Sequence, residues 1–138
     1  MNILFLGDLV GENSVLFLKK NLTNIKKKYN ISFVIVNGEN VSMGYGITPK
    51  VCEEIFNLGI NVISTGNHIW DRSEIIPYIA KNNCLLKPLN MKTNSAGEGF
   101  GFFLNPEGKK VLVINLMCNL FMRKSEDLFL SIQKLLLE

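Results

Sequence analysis

The run ISFVIVNGEN, at residues 31–40, carries the clearest structural signal in the chain. Its first seven positions are mostly β-branched or aromatic, and a short apolar run bounded by turn residues is typical of a buried strand. The run then ends in Gly38, Glu39 and Asn40. A buried strand with polar groups at its carboxyl end is typical of a parallel sheet in an α/β protein, where ligands bind at that edge.

The same arrangement recurs on both sides of this segment. Upstream, the apolar residues 2–7 (NILFLG) stop at Asp8, and downstream residues 60–65 (INVIST) lead through a glycine into Asn67 and His68. Both runs have the length and composition of buried strands. Three strands in succession therefore end in polar side chains, and we expect these ends to meet in one crevice.

Helix signals separate the three strands. A helix is predicted over residues 13–29, and a second one begins at the N-cap Thr48 and stops at Gly59. A third helix is predicted from Asp71, because Asp71 and Glu74 have the spacing of a capping box. The apolar face of the first helix carries Leu18, Leu22, Ile25 and Tyr29.

The last third of the chain adds short strands and a final helix. The sequence predicts a short strand over residues 84–90, a hairpin formed by residues 99–105 and 110–116, and a helix after the candidate N-cap Ser125. The whole order predicts an α/β layered fold, in a single domain over residues 1–138. The last helix reaches the end of the sequence without a C-cap, which favours a domain that is incomplete at its C-terminus.

The composition is that of a globular protein. Of the 138 residues 47% are hydrophobic and 20% are charged, and the net charge is +3. Much of the positive charge falls on the first predicted helix, which favours a solvated helix face over a nucleic-acid patch, so no DNA partner is expected. The lysines concerned are Lys19, Lys20, Lys26, Lys27 and Lys28.

Cysteine content and hydropathy indicate the compartment. The chain has three cysteines without a CxxC pair, which argues against a disulfide framework or a zinc ribbon and for reducing conditions. The apolar N-terminus is interrupted by Asp8 and lacks a basic region, so it does not resemble a signal peptide. No run approaches the roughly 20 apolar residues of a membrane span. We expect a cytoplasmic protein without a membrane partner.

Five strand-end side chains have the chemistry of a metal site: Asp8, Glu39, Asn40, Asn67 and His68. Carboxylates, amide oxygens and an imidazole are hard or borderline ligands that suit Mn, Fe, Mg or Zn. Two such ions can clamp a phosphate and activate water. Each residue taken alone also has a structural explanation, since an aspartate can cap a turn and a lone histidine is more often structural. Their recurrence on three strands favours a shared site.

Four motifs together resemble a known family. Residues 7–8 (GD), 37–40 (NGEN), 44–50 (GYGITPK) and 66–71 (GNHIWD) are similar to those of the YmdB-type metallophosphoesterases. These are bacterial calcineurin-like phosphodiesterases that act on 2′,3′-cyclic nucleotides and related phosphodiesters. The similarity continues through residues 87–88, 99–101 and 113–116.

The resemblance implies a fold and a role for each site residue. The fold would be the N-terminal half of the α/β/β/α sandwich of calcineurin-like metallophosphoesterases, and the cofactors two divalent ions, Fe or Mn, with Mg or Zn as alternatives. Asp8 matches the first metal ligand, Glu39 the carboxylate that bridges both ions, and Asn40 a ligand or phosphate contact. Asn67 matches an amide ligand of the second ion. His68 matches the catalytic histidine that protonates the leaving oxygen or steadies the phosphate.

The chain also departs from the family pattern. Family members are about twice as long, and their second half carries three further histidines, in Asp-Phe-His-Ala-Glu and Gly-Thr-His-Thr-His stretches. Cys118 and Asn119 stand where the family usually has Gly-Arg.

The sequence therefore leaves two hypotheses for the function of the chain. One is a phosphodiesterase of small substrates such as 2′,3′-cyclic nucleotides, completed by a homo-oligomer or a C-terminal half. The other is a catalytically inactive half-domain or interaction module. Both hypotheses predict exposed apolar surface on this chain, because without the second half one face of the sheet is uncovered.

Overall fold

Two β-sheets organise the computed structural model, which describes residues 1–91, 96–118, 120 and 125–137. Asn119, which departs from the family pattern, lies outside these ranges. The first sheet is parallel, and its four strands lie side by side in the order of the sequence. The second sheet is an antiparallel hairpin. The strands are β1 (Asn2–Leu6), β2 (Ile31–Asn37), β3 (Val62–Ser64), β4 (Leu85–Leu86), β5 (Phe100–Leu104) and β6 (Lys110–Ile114).

Helices connect the strands of the parallel sheet, as the alternating sequence pattern predicts. The N-cap Thr48 accepts a hydrogen bond from the backbone N–H of Val51 at 3.3 Å, which starts the second helix where expected. In the part of the chain that the structure describes, no helix is both long and apolar enough to cross a membrane. The helices are α1 (Gly11–Lys28), α2 (Pro49–Asn57), a 3₁₀ helix (Asn67–Trp70), α3 (Ile75–Ile79) and α4 (Leu128–Leu137).

The two faces of the parallel sheet bury different partners. Val34 and Val36 of β2 pack with the buried residues of α1, α2 and α3. Phe33, on the opposite face, packs with Val111 and Val113 of the hairpin. This alternation follows from the two-residue repeat of a strand. The α/β fold with a parallel sheet is therefore confirmed, with helices on one face and a second sheet on the other.

Asp71 does not begin a helix, contrary to the capping-box prediction. It follows the 3₁₀ helix, and α3 begins only at Ile75. The carboxylate of Asp71 lies 2.6 Å from Nδ1 of His68, so it is engaged there rather than with the backbone of a following turn. Pro77 lies in the first turn of α3, where its missing N–H has no helical partner to lose.

Ser125 is not an N-cap either. Its backbone forms an isolated β-bridge with Met91, and its buried hydroxyl has no hydrogen-bond partner among the described residues. Asp127 takes the capping role, because its Oδ1 accepts hydrogen bonds at 2.9 Å from the backbone N–H groups of Phe129 and Leu130.

An apolar face next to β1 is exposed, as the sequence predicted. Ile3 and Phe5 pair in register with Phe33 and Ile35 of β2, so they point to the hairpin side of the sheet. The side chains of Ile3 and Phe5 are nevertheless 44% and 61% exposed. The expectation that β1 is a fully buried strand is therefore wrong, because the hairpin does not extend over this edge. Tyr29, expected on the buried face of α1, is also exposed.

The cysteines provide a test of this fold. Cys52 is fully buried, and burial together with the charge of Glu53 raises its pKa from 9.0 to about 12, whereas Cys118 is exposed. We expect Ellman's reagent to modify Cys118 in the native chain and Cys52 only after unfolding.

Because the folded state disfavours the Cys52 thiolate, the free energy of unfolding should fall as the pH rises from 9.0 towards 12. A variant with both Cys84→Ser and Cys118→Ser retains Cys52 alone of the three cysteines, so it isolates the buried thiol for both measurements. Rapid modification of Cys52 in the native form of this double variant would contradict the burial.

Candidate metal centre

Backbone hydrogen bonds join the loops at the carboxyl ends of the first three strands. The N–H of Leu9 donates to the carbonyl of Asn37 at 2.9 Å, and the N–H of Gly38 donates to the carbonyl of Ser64 at 2.9 Å. These bonds continue the parallel pairing beyond the strands themselves. The polar residues that follow each strand are therefore held at one edge of the sheet, as the sequence predicted.

Asp8 and Asn40 form a direct contact at this edge. The side-chain amide of Asn40 donates to Oδ1 of Asp8 at 2.9 Å. A parallel bridge between Val10 and Asn40, and a 3.1 Å hydrogen bond from the N–H of Gly11 to the carbonyl of Asn40, fix the two loops against each other. Because Asn40 donates through its nitrogen, its amide oxygen stays available as a ligand, beside the second oxygen of Asp8.

Glu39 lies against the loop that follows β3. One of its carboxylate oxygens accepts a long hydrogen bond, 3.4 Å, from the backbone N–H of His68. A Cβ atom at Gly66 would overlap the carboxylate of Glu39, so only glycine allows this approach. The absence of a side chain at residue 66 is therefore part of the construction of the site.

Asn67 begins the 3₁₀ helix and lines the same cleft as Glu39. Within the described residues its side chain makes no hydrogen bond, although it is only partly exposed. A half-buried amide without a protein partner can act as a ligand without first breaking an internal bond. The structure thus brings Asn67 and Glu39 to one cleft, and Asp8 and Asn40 to the adjoining loop.

His68 is held by two side chains. Its Nδ1 lies 2.6 Å from Oδ2 of Asp71, and its ring makes an edge contact with the ring of Tyr45, with the ring centroids 5.5 Å apart. A carboxylate on Nδ1 fixes that nitrogen as the proton donor and leaves Nε2 to exchange a proton with a ligand. The sequence predicts a helix cap at Asp71, with orientation of the loop under His68 as the alternative role. The i, i+3 spacing of His68 and Asp71 was the signal that would have linked them.

The donor set suits hard divalent ions but does not fill a coordination shell. Two carboxylates and two amides have the oxygen chemistry that Mn, Fe or Mg prefers. Among residues 1–91, 96–118, 120 and 125–137, no three His, Cys, Asp or Glu side chains come together as a metal-binding group. Since protein metal sites generally use four to six ligands, the residues present fit part of a metal centre.

An apolar cleft of about 750 Å³ leads to these residues. Glu39 and Asn67 line its polar end, while Ile3 and Phe5 of β1 and Val113 of β6 line its walls. β6 pairs with β5 alone among the described residues, so its other edge is open. The polar site and the exposed apolar surface of the sheet therefore belong to one continuous depression.

Comparisons with known proteins identify the family of this chain. The family described as YmdB-like protein matches residues 4–138. A 2′,3′-cyclic-nucleotide 2′-phosphodiesterase of Bacillus subtilis (strain 168) is 36% identical over 138 residues, which are 100% of this chain and 52% of that relative. A putative phosphatase/phosphodiesterase of Mycoplasma pneumoniae is 35% identical over 73% of this chain and 36% of its own length.

Solved structures share the fold over the same extent. A hypothetical protein from Thermus thermophilus superposes with a TM-score of 0.90 at 30% identity, over 100% of this chain and 53% of that one. A novel phosphatase of Mycoplasma pneumoniae gives a TM-score of 0.86 at 31% identity, over 98% and 50%. This chain, which spans about half the length of these relatives, therefore belongs to the YmdB-like family of phosphoesterases.

Proposed function

We propose that this chain forms the N-terminal half of a metal-dependent phosphodiesterase that hydrolyses 2′,3′-cyclic nucleotides or related phosphodiesters. The observation that carries the proposal is the meeting of three strand-end loops, which places the Asp8–Asn40 pair beside Glu39 and the His68–Asp71 pair. The name of the Bacillus subtilis relative supports the substrate class.

In this proposal Asp8, Glu39, Asn40 and Asn67 hold two divalent ions, Fe or Mn, with Mg or Zn as alternatives. Glu39 would hold an ion through its carboxylate, both oxygens of which lie at the junction of the second and third loops. Two bound ions would neutralise the phosphate charge and activate water. The protein's own contribution is to hold these oxygens in place through the backbone bonds between the loops.

His68 acts as the proton donor to the leaving oxygen. Its contact with Asp71 is short, at 2.6 Å, and a carboxylate in this position fixes the tautomer and orientation of an imidazole. In the imidazolium form both nitrogens carry a proton, so the Nε2 proton moves to the leaving oxygen while the Nδ1 proton stays in the hydrogen bond to Asp71. Asp71 is a positioning residue in this scheme, since it acts through His68.

The remaining ligands come from a polypeptide that occupies the apolar cleft. The exposed Ile3 and Phe5 and the open edge of β6 offer both a hydrophobic wall and unpaired backbone groups. A segment that extends the hairpin sheet would cover this wall and reach the polar end beside Glu39 and Asn67. We propose a complementing C-terminal half as this segment. A second copy of the chain is the competing occupant.

A non-catalytic interaction module remains the second candidate function. It is favoured by one observation, the lack of a cluster of three His, Cys, Asp or Glu side chains within the described residues. In that case the cleft would bind a protein partner, and the strand-end residues would bind no metal tightly even with a complementing polypeptide present.

Metal affinity tests the role of the glycine beside Glu39. We expect Gly66→Ala to weaken Mn²⁺ binding about 10- to 100-fold, because the added Cβ displaces the Glu39 carboxylate. Gly7→Ala is the matched control, since a Cβ there meets no atom within 4 Å. Calorimetry on the chain supplemented with the second half of the Bacillus subtilis relative measures both. Equal affinities for the two variants would contradict the assignment of Glu39.

Two classes of variant should separate metal binding from proton transfer. In the same complemented protein, Asp8→Ala and Glu39→Ala should lose both Mn²⁺ binding and hydrolysis of 2′,3′-cyclic AMP. His68→Ala should keep the metal and lower kcat by about 10²- to 10⁴-fold, and Asp71→Asn should lower kcat while keeping the metal. Full activity of Glu39→Ala would rule out the metal assignment, and neither tight Mn²⁺ binding nor hydrolysis in the unsubstituted protein would favour the interaction module.

Association experiments test the apolar cleft. Phe5→Ser should weaken binding of the complementing half about tenfold or more, because it removes an aromatic ring that the partner buries. Phe17→Ser, on α1 and away from the cleft, is the control, since Phe17 is 59% exposed against 61% for Phe5. Analytical ultracentrifugation also shows whether the chain self-associates instead. Equal affinities for both variants would mean that the partner binds elsewhere.

A further inference from the structure

A rigid loop presents Tyr45 next to His68. Buried Val41 and Ile47 anchor the two ends of this loop, which lies between β2 and α2. Within it, the N–H of Ser42 donates to the carbonyl of Gly46 at 3.0 Å, and the N–H of Tyr45 donates to the carbonyl of Ser42 at 3.2 Å. A loop closed by its own hydrogen bonds holds its side chains in place before a ligand arrives.

Arg72 ties this loop to the segment that carries His68. Its Nε donates to the carbonyl of Tyr45 at 3.2 Å, and its Nη2 donates to the carbonyl of Ser42 at 3.1 Å. Gly46, at φ +71°, permits the contact, because a Cβ there would lie 2.9 Å from the Arg72 side chain. These two hydrogen bonds form a clamp from the charged Arg72 side chain to the backbone of the loop. The clamp sets the position of Tyr45 relative to His68.

The ring of Tyr45 is largely uncovered. Tyr45 is 60% exposed, and the one ring contact that it makes among the described residues is the edge contact with His68. Exposed tyrosines are common on protein surfaces. This one differs because a clamped loop places it against the histidine that we assign to proton transfer. An aromatic surface fixed beside such a group is available to stack on a planar part of the substrate.

We propose that Tyr45 is the stacking surface for the nucleobase of the substrate. The inference rests on the proposed function and goes further, because it assigns a binding residue for the part of the substrate that does not react. In a nucleoside 2′,3′-cyclic phosphate the base is bonded to C1′, next to the carbon that carries the phosphate oxygen. A residue that touches the base must therefore lie one side chain away from a residue that acts on the phosphate, as Tyr45 does from His68.

Stacking on one tyrosine strengthens the binding of ligands that carry any nucleobase over ligands that carry none. Every base has a π-face, so such a contact is tolerant of base identity. Tyr45 therefore selects nucleotides against phosphodiesters that lack a base, without distinguishing adenine from uracil. The phenol oxygen is dispensable for this role, and the ring is not.

Calorimetry with a product nucleotide and its base-free counterpart tests the inference. Adenosine 3′-monophosphate and ribose 3-phosphate, which lacks the base, are titrated into the Mn²⁺-loaded 138-residue chain, alone and with the complementing half. We expect roughly tenfold tighter binding of the nucleotide. This ratio should fall to about one in Tyr45→Ala and persist in Tyr45→Phe. Tyr29→Ala, at a second exposed tyrosine far from the site, should leave it unchanged.

The outcomes separate this inference from the proposed function. A ratio that persists in Tyr45→Ala overturns the inference alone, as does an equal loss of affinity for both ligands, which would mean that Tyr45 only restrains His68. If the unsubstituted protein binds neither ligand in either form, the proposed function falls and the inference falls with it. Arg72→Ala should reduce the ratio with the Tyr45 ring still present, so a normal ratio there would overturn the role of the clamp.

Discussion

The in-register parallel pairing of β1, β2 and β3 is the constraint on which the rest of the structure depends. Parallel strands end at the same edge of a sheet, so residues far apart in sequence become neighbours there. The pairing continues past the strands through the bonds from Leu9 to Asn37 and from Gly38 to Ser64. The two packed faces of the sheet fix this register, because a slip of one residue would expose the buried valines of β2.

The polar site and the exposed apolar wall have a common cause. The hairpin covers the face of β2 and β3 around Phe33, but Ile3 and Phe5 at the edge of the sheet remain uncovered. The same depression holds Glu39 and Asn67, whose oxygens have few protein partners. One additional polypeptide layer would complete the proposed metal coordination and would also cover the hydrophobic wall. This is why we place the remaining ligands and the covering strand in the same complementing polypeptide.

The loop between β2 and α2 extends the candidate site beyond the proposed metal ligands. Arg72 binds two of its carbonyls and thereby couples the ring of Tyr45 to His68, while Asp71, the preceding residue, binds His68 directly. Two adjacent residues after the 3₁₀ helix thus position both His68, the proposed proton donor, and the aromatic surface beside it. The relatives share the fold over this whole region, with TM-scores of 0.90 and 0.86.

The sequence by itself determined the α/β order, the parallel strands and the placement of Asp8, Glu39, Asn40, Asn67 and His68 at strand ends, because these features depend on local apolar periodicity and on where each run stops. It failed at Asp71 and Ser125, whose local spacing favours helix caps. Only the tertiary structure decided that Asp71 contacts His68, that Gly66 makes room for Glu39 and that Tyr45 lies beside the site. Asp71 and His68 are three residues apart, but that spacing fits a helix cap as well as a side-chain pair. The other two relations join separate loops, some with left-handed glycines, and no local pattern specifies how such loops approach one another.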